Sequence, residues 1–544
     1  IGASRTDGPA GDTRADPAGV VFEDMTAAAG VDFRHEGDAS PDHLIQETMG
    51  SGLAWIDYDR DGHADLFCVQ VTTPRSSSSG HRLYRNLGGG RFVDVTRETG
   101  VGLSIYGMGV EVGDVDNDGF DDLVVSGIGG LALLRNTEGD DGRRRFVDVS
   151  SGSGLSNPHW GTGLALVDVD GDALLDLYVA NYVELDPHEP AVCRDYRTGL
   201  PLPCTPTAYP HCHHAVFRNE GGCRFSDATE RFGLLEVRPA AGLGVVAADF
   251  DSDGRCDLFV ANDMGAAYFL RNAGGRFRDV GLESGCSHGP EGRLMAGMGV
   301  VADDLDGSGH ASLFVTNFHF EPNVLFRGDG TGGFTEASLR SGLGGPSIKA
   351  LGFGAVALDA DLDCHVDLAV ANGHVNRHAP RISAAPFAQP MQVFLGEGGG
   401  RFRDVTGSAG AAINLPRVGR GLAVGDFDSD GRPDLAVSEN GGRTAVLRNA
   451  TPGSRGWIRL ALEGDGRASN HSAIGARVEI VSPAGSQTRF VCGGGSYLSA
   501  SDRRLSIGLA PGTEAVTAVV HWPSGRTEAF PKLAAQTDWR LVEG

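Results

Sequence analysis

The sequence predicts an all-β protein, a seven-bladed β-propeller followed by a small C-terminal domain of β-sandwich type. Three observations carry that prediction. An acidic loop recurs seven times, each time just before a short hydrophobic strand. An aromatic strand and a strand ending in Arg-Asn or a relative recur with it. Beyond Asn449 the loops stop and strands of another pattern begin. Periods of about 40 to 60 residues, built from strands and Gly-rich turns, are the signature of a propeller.

The loop is clearest at Asp249-Phe250-Asp251-Ser252-Asp253-Gly254-Arg255-Cys256-Asp257, which runs into Leu258-Phe259-Val260-Ala261. Carboxylates at positions 1, 3, 5 and 9 of a tight turn suit a hard cation that takes six to eight oxygens, and calcium is the natural choice. An EF-hand would need Glu at position 12, where this chain has Val260 inside a strand-like run. The expected ligands are Asp57, Asp59, Asp61 and Asp65; Asp114, Asp116, Asp118 and Asp122; Asp168, Asp170, Asp172 and Asp176; Asp249, Asp251, Asp253 and Asp257; Asp304, Asp306 and Ser308; Asp359, Asp361, Asp363 and Asp367; and Asp426, Asp428, Asp430 and Asp434. Acidic turns also form for backbone reasons alone. Seven copies in one register leave that alternative little room. Ser308 and Ser312 replace two carboxylates of the fifth loop, which is therefore expected to be the weakest, and Ala173 and Cys364 replace the glycine of the third and sixth. Up to seven structural calcium ions are expected, and no organic cofactor.

Turn length assigns the strands to blades. The tight connection Asn86-Leu87-Gly88-Gly89-Gly90-Arg91-Phe92 joins an Arg-Asn strand to the next Phe strand as a hairpin. A blade then reads as a Gly-x-Gly inner strand, acidic loop, hydrophobic strand, Arg-Asn strand and Phe outer strand. The seventh blade lacks its Phe strand, and Phe22 to Thr26 is left over at the other end, so the N-terminus should close the ring and remove a sheet edge. The expected division is a flexible tail over 1–19, the propeller over 20–450 and the β domain over 456–544.

This alternation puts all seven loops on one face and the ends of the second strands on the other. Those ends read Asn181, Asn262-Asp263, Asn317, Asn372 and Asn440, and the long insertions 181–214 and 372–392 fall there too. Long connections over a rigid scaffold carry binding and catalysis, so the functional mouth is placed opposite the ions.

Composition narrows the rest. The formal charge of -25 is offset by more than half if seven divalent ions bind, and no basic stripe is present, so nucleic acid is not an expected partner. All 46 basic residues except Lys349 and Lys532 are arginine, which with the Ala and Gly content points to a high-GC bacterial source. No apolar run approaches a membrane span, and a soluble chain, cytoplasmic or secreted, is expected. Nine cysteines give no regular framework. Cys68, Cys256 and Cys364 read as small buried fillers. Cys193, Cys204 and Cys212 share an insertion with His211, His213 and His214; a disulfide, Cys193 to Cys204, is preferred to zinc because the spacing matches no standard zinc pattern.

The loops with Phe92-Val93-Asp94-Val95-Thr96 and Leu83-Tyr84-Arg85-Asn86 resemble FG-GAP/VCBS repeats. Ala473-Ile474-Gly475-Ala476-Arg477-Val478, Gly495-Ser496-Tyr497-Leu498-Ser499 and Trp522-Pro523-Ser524-Gly525 resemble the ASPIC/UnbV domain. Together they resemble the bacterial relatives of cartilage acidic protein, from Phe22 to Val542. That resemblance implies roles ranging from secreted extracellular proteins to proteins associated with enediyne biosynthesis, and does not choose among them.

On the mouth, His374 follows a strand end beside Gly373 and could move a proton near pH 7, or simply lock its loop. His319 and Glu321 sit similarly after Asn317, Asp263 follows Asn262, and Glu47 and Tyr182 complete the candidate catalytic set. No nucleophile elbow, phosphate loop or dinucleotide fingerprint is present. Two function classes follow: a cofactor-independent natural-product tailoring enzyme acting on a flat hydrophobic substrate of enediyne or aromatic polyketide type, with carbon–carbon coupling as one such reaction, or a secreted calcium-dependent binding module for a glycan or protein. An enzyme should bring His374 within hydrogen-bond reach of a carboxylate; a binding module should show a broad exposed aromatic patch.

Overall fold

A computed structural model describes residues 19–37, 40–72, 80–186, 189–453 and 455–544. The expected tail, apart from Gly19, lies outside the described residues.

Loop, hydrophobic strand and hairpin generate seven antiparallel sheets along the chain, six of them four-stranded and the fourth extended by a fifth strand, Gly493–Gly494. In the fourth, Asp257–Asn262 pairs with Gly242–Ala248 on one side and with Tyr268–Asn272 on the other, and Phe277–Asp279 forms the outer edge. This is the strand order read from the motifs. In the seventh, Gly419–Gly425, Asp434–Glu439 and Ala445–Asn449 are completed by Phe22–Asp24, with Phe22 opposite Asn449.

The hydrophobic strands read as unbroken apolar runs because each sheet is covered on both faces by its neighbours. Leu258, Phe259, Val260 and Ala261 are all buried. Between the fourth and fifth sheets Phe259 and Phe269 pack with Leu313, Val315, Phe326 and Phe334, each ring removing a large apolar area from water.

Around the ring's axis the inner strands touch in cyclic order, and glycine sets how closely. A Cβ on Gly163 would lie 2.2 Å from the Leu243 carbonyl oxygen, and one on Gly299 2.1 Å from that of Phe353. Each is the second glycine of a Gly-x-Gly. The intervening residues Met108, Leu243, Met298 and Phe353 gather with Tyr182 and Tyr497 in one apolar cluster.

The C-terminal segment forms two sheets. One contains Leu505–Leu509, Gly456–Glu463 and Asp538–Val542, the other Gly485–Phe490, Arg477–Ser482, Ala515–His521 and Thr527–Ala534. Ile458, Leu460, Val478, Ile480, Ile507 and Val520 fill its interior. It rests on the acidic-loop rim: Ser472 Oγ accepts the Asp114 N–H at 3.0 Å, Arg459 Nη1 donates to Asp426 Oδ2 at 2.8 Å, and the Gly508 N–H donates to Asp359 Oδ2 at 3.1 Å.

Residues 493–503 leave the two C-terminal sheets for the ring. Gly493 and Gly494 pair with Ala247 and Val246, Ser496 exchanges backbone bonds with Val300, the Ala500 N–H donates to Leu53 O at 3.0 Å, and the Asp502 N–H to Val424 O at 2.9 Å. The stretch therefore plugs the ring, bonding to inner strands of the fourth, fifth, first and seventh sheets. Small residues permit it: a Cβ on Gly52 would fall 1.6 Å from the Leu498 carbonyl oxygen.

Candidate functional site

Polar side chains converge at two sites, one on each rim. On the loop rim the turn chemistry of Asp and Gly builds the same construction repeatedly. In the second loop Asp114 accepts the Asp118 and Gly119 N–H groups at 3.0 and 2.7 Å. Asp122 accepts the Asn136 N–H at 2.7 Å and the Val115 N–H at 3.1 Å. Asp116 Oδ2 pairs with Arg135 at 2.6 Å, leaving Asp116 Oδ1 buried without a partner. The equivalent oxygens of Asp59, Asp170, Asp251 and Asp428 are orphaned in the same way, and that of Asp361 accepts no hydrogen bond but lies 3.2 Å from Arg455 Nη1.

Ligand atoms of Asp57, Asp59 and Asp61 lie within 4.8 Å of one another, as do those of Asp114, Asp116 and Asp122, of Asp168, Asp170 and Asp176, of Asp249, Asp251 and Asp253, and of Asp359, Asp361 and Asp367. Burial, reinforced by neighbouring loop carboxylates, pushes Asp57 and Asp168 up to about 6, Asp114 to about 7, and Asp176 and Asp257 to about 8. Buried acceptors without donors and carboxylates held against one another fit a divalent cation. Several of the loops could thus hold a metal ion.

The fifth loop differs. Asp306 Oδ1 accepts the Ser308 N–H at 3.1 Å and Oδ2 pairs with Arg327 at 2.6 Å. Burial would raise this carboxyl, but hydrogen bonds from Ser308 and Arg327 outweigh it and hold it below the ordinary value. Ser312 Oγ, in place of the position 9 carboxylate, accepts the Gly328 N–H at 3.2 Å.

The Arg-Asn motif acquires a role here that its sequence did not disclose. Its arginine pairs with the position 3 aspartate, as Arg85 does with Asp59 at 2.8 Å and Arg218 with Asp170 at 2.7 Å. Its asparagine reaches the preceding sheet: Asn136 Nδ2 donates to Tyr58 O at 2.8 Å, Asn219 to Val115 O at 2.7 Å, Asn272 to Val169 O at 2.9 Å, and Asn449 to Ala360 O at 2.8 Å. Its recurrence at the end of the same strand was the available signal, although its distance from the loop varies from 14 residues after Asp122 to 43 after Asp176.

On the opposite rim the strands Asp176–Asn181 and Asp257–Asn262 deliver Tyr182 and Asp263 to one place, because each residue directly follows a strand end. Tyr182 Oη donates to Asp263 Oδ2 at 2.6 Å. Burial pushes Asp263 up to about 6; the Tyr182 hydroxyl opposes that and the charge of Glu321 adds to it. Glu321 is raised by burial and accepts the Ala296 N–H at 2.9 Å. All three line a cavity of about 200 Å³ whose other walls include Met298, Phe318, Phe353 and the 203–206 segment. A disulfide between Cys193 and Cys204 secures that segment.

The remaining candidates serve the loops around it. His374 Nδ1 accepts the Asn376 N–H at 2.9 Å, and burial, with His319 and Arg420 nearby, lowers it to about 4, so it is neutral at pH 7. No carboxylate bonds to it among the described residues. His319 Nδ1 faces Lys349 O at 3.2 Å, and its ring lies 5.9 Å from that of His374. Glu47 spends both oxygens on the Ser40 and Leu44 N–H groups. Arg420, unremarked in the sequence although it is the x of a Gly-x-Gly, is fully buried over Phe353 and donates to the carbonyls of Thr48, Gly373 and Gly419.

An ASPIC and UnbV family model matches residues 466–544, an FG-GAP-like repeat model matches 57–125, 249–315 and 359–437, and an FG-GAP repeat model matches 418–457. Cartilage acidic protein 1 of Homo sapiens is 28% identical over 250 residues, covering 43% of this chain and 32% of that protein. The Xenopus tropicalis protein of that name is 24% identical over 448 residues, covering 77% and 61%. The chain thus matches about a third of the human relative's length. Among solved structures, the BP39L lectin from Burkholderia pseudomallei is 13% identical with a TM-score of 0.43, covering 75% of this chain and 98% of that one. A lectin of Agrocybe aegerita, described as recognising non-reducing terminal N-acetylglucosamine, is 15% identical with a TM-score of 0.39, covering 74% and 94%. Likeness at that level carries no argument about ligand.

Proposed function

For this chain, which belongs to the FG-GAP-repeat proteins with an ASPIC and UnbV domain, we propose a metal-stabilised propeller that binds a small ligand in the mouth opposite its acidic loops. The observation that carries this reading is the apolar-walled cavity of about 200 Å³ into which Tyr182, Asp263 and Glu321 converge from separate sheets. Pockets of this kind, mostly apolar with a few convergent polar groups, are where small molecules bind. The metal is calcium in this reading, held by the loop aspartates, and its contribution is to neutralise them and tie two strands of each sheet.

A second reading is favoured by Asp263 alone. A carboxyl pushed up to about 6, bonded to a tyrosine and facing a second carboxyl, suits general acid–base work on a bound natural product without an organic cofactor. His374 has no part in that version, since its Nδ1 is occupied and no carboxylate supports it.

The test is a thermal-shift screen of the full chain against aromatic, saccharide and amine ligands, with each hit titrated against wild type and Met298→Trp, which fills the cavity. Mouth ligands lose binding in the variant. Hits that bind it unchanged would refute the reading, and mass spectrometry of bound hits for a changed product separates enzyme from binder.

A further inference from the structure

We propose that the mouth cavity selects a small organic cation, an ammonium or quaternary ammonium group on an apolar body. The inference rests on the reading of the mouth as a ligand site and adds the chemical class of its ligand. Asp263 and Glu321 both line the cavity, and neither makes an ion pair among the described residues. Their bonds are to a tyrosine hydroxyl and a backbone N–H. The buried arginines Arg417 and Arg420 on this side of the ring are not in the lining: Arg417 pairs with Glu439 and Asp24, and Arg420 spends its guanidinium on the Thr48, Gly373 and Gly419 carbonyls.

Two acidic groups within apolar walls and without a counter-charge are costly to ionise, and a bound cation supplies the missing partner. The walls favour an organic cation over a metal ion. One tyrosine and two carboxylates fall short of the oxygen shell a hard divalent ion requires. Tyr182, Phe318 and Phe353 instead offer aromatic rings, and ring faces attract ammonium groups. Phe353 already holds one cation, with the Arg420 guanidinium 4.0 Å from its ring centroid. The volume suits one head group rather than a large ligand.

Choline and its uncharged carbon isostere neohexanol, titrated calorimetrically into the full chain at pH 8, separate charge from shape. Choline should bind at least about tenfold more tightly than neohexanol. Glu321→Gln and Asp263→Asn should each weaken choline while leaving neohexanol unchanged, and Met298→Trp should abolish both. Equal or tighter binding of neohexanol overturns the cation inference but leaves the mouth as a ligand site. Choline binding that persists in Met298→Trp overturns it as well. Failure of both probes to bind wild type overturns the inference together with the reading it rests on.

Discussion

At the residue scale, the asparagine of the Arg-Asn motif is the chain's least conspicuous structural device. Asn219 is buried, and its Nδ2 bridges two carbonyls, Val115 O at 2.7 Å and Leu175 O at 3.0 Å, while Oδ1 accepts the Gly221 N–H at 2.9 Å. One side chain thus fixes its own turn, its own sheet and the loop of the preceding sheet. Asn219→Ala strands buried backbone acceptors and should cost about 2 kcal/mol, read as a lowered thermal midpoint. The corresponding positions 328 and 396 are glycines, and Gly396→Ala should act through a clash instead, since its Cβ would lie 2.3 Å from the Val366 carbonyl oxygen. A midpoint unchanged in Asn219→Ala would show the inter-sheet bond to be incidental.

At the element scale, seven loops of one pattern are not seven equal sites. Six carry a position 3 oxygen that accepts no hydrogen bond, on Asp59, Asp116, Asp170, Asp251, Asp361 and Asp428, with Arg455 Nη1 3.2 Å from that of Asp361, whereas Asp306 has both oxygens engaged. Direct metal counting after equilibrium dialysis in calcium should therefore find six tight equivalents and one weak. Asp361→Ala should remove a tight equivalent and Asp306→Ala should not; equal losses would put the fifth loop on a par with the rest. These loops were legible in the sequence because their ligands fall within nine residues and repeat. The strand order followed for the same local reason, from Gly-rich hairpins such as 86–92. The plug was not legible: Gly52 meets Leu498 across the whole chain, and nothing periodic announces the contact. At the mouth, strand ends drew attention to Tyr182, Asp263 and Glu321 along with His374, but which of them converge depends on how three sheets fan around the axis. The ring's floor, Leu243, Met298 and Phe353, was hidden inside a Gly-x-Gly read only as backbone.

At the scale of the whole molecule, the ring is held by terms that respond to pH in opposite senses. Carboxylates such as Asp57, Asp114, Asp176 and Asp257 have folded-state values raised to about 6, 7, 8 and 8, above their ordinary value of 3.8. A raised folded value means that the metal-free fold takes up protons the unfolded chain does not. Its contribution is intact below the unfolded value and is lost as pH rises through the folded one, here between about pH 4 and 8. Bound metal reverses the slope, because protons compete with it for the same oxygens and its stabilisation grows as they leave. The C-terminal domain should share in both responses, since Ser472 and Arg459 bond directly to loop residues Asp114 and Asp426. Thermal midpoints of metal-stripped protein should fall from pH 5 to pH 8, and midpoints in saturating calcium should rise over the same interval, the two curves diverging steadily. Parallel curves would mean that the loops gain nothing from metal, and that the ring is held by its apolar sheet interfaces and its plug alone.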